Sequence, residues 1–112
     1  MTVYTALMVE DSLRNSVSWT AIGSFRNRQD AIAAAMKRIT LLIPVDDSFA
    51  KTMMYDENHP ESEEMFTRNE DGEISLEDSA SFISMVRDEI GGGGFSAYYQ
   101  DEGSIYFSIE ET

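Results

Sequence analysis

The chain has 112 residues, no cysteine and a net charge of −13, which rules out disulfides, thiolate catalysis and cysteine-ligated zinc. Its apolar content is that of an ordinary globular protein, and its length suits one domain with its own core. The excess of carboxylates opposes binding to nucleic acid or to an anionic membrane, and favours a basic protein surface or a cation.

From the N-terminus, Thr2 to Val9 is rich in β-branched and apolar residues. Val3, Thr5, Leu7 and Val9 share one face and Tyr4, Ala6 and Met8 the other, and two apolar faces predict a central strand. Glu10 and Asp11 interrupt this run early, so neither a signal peptide nor a membrane span is expected. We expect a cytoplasmic protein. Asp11 to Ser16 forms a turn, and Ser16 to Ile22 alternates, with Val17, Trp19 and Ala21 against Ser18 and Thr20. This predicts a second strand in a hairpin with the first. Gly23 ends it, and Asn27 reads as a helix N-cap with Asp30 three residues on. Ile32, Ala35, Met36, Ile39, Leu42 and Ile43 follow helical spacing, predicting a helix to about Leu42 that Pro44 stops.

The charge concentrates beyond this point. Residues 1–45 carry five basic and three acidic side chains; residues 46–112 carry three and eighteen. Asp46 to Asp78 alone holds twelve carboxylates, opposed only by Lys51 and Arg68. Within it, Lys51 to Tyr55 reads as a short strand, Asn58 to Pro60 as a break with His59 in an exposed loop, and Glu61 to Phe66 as one or two helical turns. Ser75 is expected to cap a second helix with Leu76, Ala80, Ile83, Val86 and Ile90 as its buried stripe. Gly91 to Gly94 links it to a final hairpin. There Phe95, Ala97 and Tyr99 face the same way as Ile105, Phe107 and Ile109, around a turn containing Asp101 and Gly103. The opposite face carries Ser96, Tyr98, Tyr106 and Ser108.

The expected fold is α+β: a small antiparallel sheet of about four strands with two helices on one face, in the order ββα–acidic insert–αββ. The single domain divides into a ββα half (1–45), an acidic insert (46–75) and an αββ half (76–112). Trp19, Ile32, Ile39, Ile83, Val86 and Phe107 are expected in its core.

Nothing in this pattern points to catalysis. His59 is the only histidine, the serines have no spaced partner base, and the glycine run is followed by a strand rather than by a phosphate-binding helix. No cofactor is expected. Thr67 to Asp78 (TRNEDGEISLED) resembles an EF-hand calcium loop, with Gly72 at the turn and Ile74 at the buried aliphatic position. The resemblance implies Asn69, Asp71, Glu73, Ser75 and Asp78 as ligands. It departs from the pattern at Thr67, where an acidic first ligand is usual, and at Asp78, where dockerin-type loops rather than EF-hands carry aspartate. We rank it as an alternative and expect no metal.

A small scaffold bearing many carboxylates and few bases suits a protein that stands in for the phosphates of nucleic acid. In size and composition it is similar to the anti-defence inhibitors of phages, the anti-CRISPR and anti-restriction proteins. That resemblance implies a non-catalytic DNA mimic that occupies the basic surface of a nucleic-acid-handling protein without binding nucleic acid or membrane itself. An immunity protein or antitoxin against a basic nuclease is the alternative with the same electrostatics. The expected partner-binding residues are Asp56, Glu57, Glu61, Glu63, Glu64, Glu70, Asp71 and Glu73, with Tyr98 and Tyr106 as an aromatic surface on the last hairpin.

Overall fold

The structure, a computed structural model, describes residues 2–12, 17–45, 47–56, 59–99 and 103–112. Strands β1 (Tyr4–Ser12) and β2 (Val17–Phe25) are followed by helices α1 (Arg28–Val45) and α2 (Asp47–Met54). A 3₁₀ helix, η1 (Pro60–Met65), leads into strands β3 (Phe66–Arg68) and β4 (Ile74–Leu76). Helix α3 (Ser79–Gly91) and strands β5 (Phe95–Tyr99) and β6 (Gly103–Glu111) complete the chain. The fold is α+β, with a four-stranded antiparallel sheet in the order β2-β1-β6-β5 and a separate two-stranded sheet, β3-β4.

β1 is central, as its two apolar faces require. It pairs with β2 (Val9 opposite Trp19) and with β6 (Val9 opposite Tyr106). Ala6 and Met8 are buried on the inner face, and α1 crosses β1, β2 and β6 on that side. Phe95, Ala97, Ile105 and Phe107 extend the same buried layer, with the Phe95 and Phe107 rings 6.5 Å apart.

α1 begins as its sequence predicts: the backbone N–H of Gln29 donates to Asn27 Oδ1 at 2.8 Å. Its buried face is Ala31, Ile32, Ala35, Met36, Ile39 and Ile43, with Leu42 half-buried. The helix runs to Val45, past the expected stop at Leu42. Pro44 does not stop it but falls within its last turn, and α2 starts anew at Asp47.

Two further elements depart from expectation. Lys51 to Tyr55 is not a strand: Lys51 to Met54 belongs to α2, whose buried residues Phe49, Ala50 and Met53 lie at helical spacing. A short apolar run has no period long enough to distinguish helix from strand. Ser75 is not a helix cap but lies in β4, and α3 is capped by Asp78, whose Oδ1 accepts from Ser81 N–H at 3.1 Å. The α3 stripe is consequently Phe82, Val86 and Ile90, with Ile83 half-buried and Ala80 exposed. Phe82 meets Phe66 edge to face at 5.5 Å.

Residues of both halves and of the insert join one buried cluster. Ile32, Ile39, Val86 and Phe107 lie in it as expected, but Trp19 does not: it is 68 % exposed. The alternation in β2 is real, yet β2 is an edge strand and its apolar face is turned away from the helices. Alternation gives the period of a strand but not which side the core is on.

Candidate functional site

The acidic insert is fastened to the fold by a histidine. His59 is buried rather than exposed, and its Nδ1 lies 3.0 Å from Oδ2 of Asp56, also buried. Its Nε2 lies 3.5 Å from Oε1 of the half-exposed Glu89 on α3, and its ring sits 5.4 Å from that of Phe95. The hydroxyl of Ser62, fully buried, donates to the carbonyls of His59 and Met53 rather than to the imidazole. Asp56, expected to meet a partner, is buried in this anchor. Its spacing from His59, i to i+3, was visible in the chain; that both would be buried was not. Glu57 lies outside the described residues.

The other expected carboxylates are displayed outward. On η1, Glu61, Glu63 and Glu64 are exposed while Ser62 and Met65 point into the core. Glu70 and Asp71 are exposed at the tip of the β3–β4 hairpin, followed by exposed Glu73 and then buried Ile74. Among the described residues, none of these six is ion-paired with a lysine or arginine. Arg68, between them in sequence, donates to the Tyr55 hydroxyl at 3.2 Å. The display is therefore a set of carboxylates on short elements whose alternate side chains are held in the core.

The EF-hand-like segment has a different frame. Instead of helix–loop–helix it is a β-hairpin, with Phe66 paired to Leu76 and Arg68 to Ile74. Gly72 takes the positive φ of 85° that the turn requires. Asn69 Oδ1 accepts from the Glu73 N–H at 2.8 Å, Glu77 accepts from the Thr67 hydroxyl, and Asp78 caps α3. Two of the expected ligands, Asn69 and Asp78, thus have a side-chain oxygen engaged in local structure, and Ser75 is a strand residue paired with Thr67.

The second surface is the outer face of the large sheet. Among the described residues of the insert, α2 and His59 pack on the inner side against β5. Tyr106 is 38 % exposed and its hydroxyl donates to the Gly93 carbonyl at 3.0 Å. Its ring lies so close to Gly94 that a Cβ there would overlap the Tyr106 hydroxyl. Tyr98 is paired with Ser104 on the same face, while its side chain is outside the described ones. Trp19, expected in the core, belongs to this face together with Val17, the two in register with Val9 and Asp11. The two surfaces are therefore on different layers: carboxylates on the insert, aromatics across the sheet.

No family model, no curated protein and no solved structure matches the chain. No described helix is long and apolar enough to cross a membrane.

Proposed function

We propose that this chain is a non-catalytic binding protein whose acidic insert occupies the basic surface of a nucleic-acid-handling protein in the cytoplasm, in the manner of a DNA mimic. One observation carries the proposal. Glu61, Glu63, Glu64, Glu70, Asp71 and Glu73 are exposed, without lysine or arginine partners among the described residues, on elements pinned by buried Ser62, Met65, Phe66 and Ile74. Carboxylates held by a folded scaffold lose little conformational entropy on meeting arginines and lysines, and their field steers encounter.

The test is capture of partners from host lysate by the parent and by a Glu61→Lys, Glu63→Lys, Glu64→Lys variant. The expected partner binds nucleic acid, is released from the parent by salt, is displaced by duplex DNA and is lost by the variant. Retention of the same partner by the variant, or submicromolar binding of duplex DNA by the chain itself, would overturn the proposal.

A further inference from the structure

His59 is the only histidine and the chain has no cysteine, so it is the one side chain whose type changes charge between about pH 5 and pH 8. Both of its ring nitrogens face carboxylate oxygens. Nδ1 lies 3.0 Å from Oδ2 of Asp56, and Nε2 lies 3.5 Å from Oε1 of Glu89. The first contact is inside the protein and the second at its rim, since the Glu89 side chain is 48 % exposed and that of Asp56 only 4 %.

The two contacts require different things of the ring. A carboxylate only accepts, so Asp56 fixes a proton on Nδ1. The neutral ring then turns a bare lone pair at Nε2 toward Glu89, acceptor against acceptor, and no hydrogen bond forms. A second proton, on Nε2, reverses the sign of this contact. The imidazolium donates to both carboxylates, and the half-exposed Glu89 has room to close to the roughly 3 Å of an N–H···O bond. Burial works against the added charge, which is why both partners matter.

The other charges nearby do not replace these two. β5 meets the imidazole with the Phe95 ring. On α3, Arg87 is exposed and lies roughly 200° around the helix from Glu89, and Asp88 is exposed as well. Arg28 of α1 is held at the Gly91 carbonyl, and Lys51 of α2 is exposed. Glu61, Glu63 and Glu64 of η1 face outward. Glu57 lies outside the described residues, and a further carboxylate acts on the ring in the same direction as Asp56 and Glu89.

A change at His59 carries into the insert. Its carbonyl accepts from both the N–H and the hydroxyl of Ser62, the buried residue between exposed Glu61 and Glu63. We propose that His59 is a pH-operated latch, which ties the acidic insert to α3 through Glu89 when the ring carries two protons and releases that tie when it carries one. The Glu89 contact belongs to the charged ring alone, so it is present at low pH and lost as pH rises. The latch concerns how the insert is held and not what it binds, so it stands or falls separately from the proposed partner binding.

Nuclear magnetic resonance of the purified chain from about pH 5.5 to pH 8 tests this. The His59 ring nitrogens are expected to titrate in this range, with the Glu89 carboxyl and the Ser62 amide following at the same midpoint. Corrected for the intrinsic pH dependence of exchange, the Ser62 amide should be about two- to fivefold better protected at the acid end. Glu89→Gln keeps the shape of the side chain and can bond either form of the ring, through its oxygen or its N–H. It should therefore abolish the difference in protection while the ring still titrates, and circular dichroism checks that it folds as the parent does. A ring that keeps one protonation state across the range would overturn the proposal. So would a Ser62 amide indifferent to the titration, or a change in its protection that persists in Glu89→Gln.

Discussion

The imidazole Nδ1 of His59 lies 3.0 Å from the carboxylate of Asp56, and both side chains are more than nine-tenths buried. A histidine–carboxylate pair in that setting holds its segment in place, because breaking it leaves polar groups in a low-dielectric interior. The pair joins the end of α2 to the start of η1, and Glu89 on α3 extends it.

Truncating the imidazole should therefore loosen the insert. His59→Ala removes the hydrogen bond to Asp56 and the ring against Phe95, and is expected to cost about 1–3 kcal/mol. Urea denaturation of the parent and the variant measures this. A variant as stable as the parent would mean that the insert is held by its apolar residues alone.

Asp78 gives a pH-dependent counterpart. The backbone N–H of Ser81 donates to its carboxylate, as does the side chain to a lesser degree, and this holds its pKa below the ordinary aspartate value. With a depressed folded pKa, the cap's contribution is fully present above the ordinary value. It is lost as pH falls through the folded one. Asp78→Asn keeps a capping oxygen but cannot titrate. The stability difference between parent and Asp78→Asn should thus be largest near neutral pH and shrink toward pH 2. Thermal melts of both proteins across that range read it directly, and a difference independent of pH would refute the capping role of the charge.

Gly94 and Tyr106 form a second matched pair. The ring occupies the space a Cβ at position 94 would need, so Gly94→Ala must displace the ring or the link after α3. The expected cost is about 1–3 kcal/mol. Tyr106→Phe, which removes only the hydroxyl that donates to the Gly93 carbonyl, should cost about 0.5–1.5 kcal/mol. Chemical denaturation of the two variants should rank them in that order.

The exposed and buried aromatics separate cleanly. Phe107 is fully buried between β5 and β1 on the inner face, and Phe107→Ala should cost about 3–5 kcal/mol. Trp19, despite its size, projects into solvent from the outer face, so Trp19→Ala should change stability by about 0.5 kcal/mol or less. Intrinsic fluorescence adds an independent check, since a tryptophan 68 % exposed emits at the long wavelength of a solvated indole.

The amino-acid pattern alone determined most of the secondary structure and the class of the fold. The two apolar faces of β1, the Asn27 cap with the Ile32–Ile43 stripe, and the alternation of the last hairpin each follow from the periods of strand and helix, which are local properties. It also determined where the charge lies. What it left open were choices between local alternatives of equal period. Whether Val17 and Trp19 face the core or solvent, whether Lys51 to Tyr55 continues a helix, and whether Ser75 or Asp78 caps α3 depend on which neighbour each segment meets. The burial of Asp56 and His59 is of the same kind: a histidine and an aspartate three residues apart read as a polar loop until α2, α3 and Phe95 close around them. Tertiary packing decides such cases because burial free energy, summed over whole elements, outweighs the fraction of a kcal/mol by which local propensities differ.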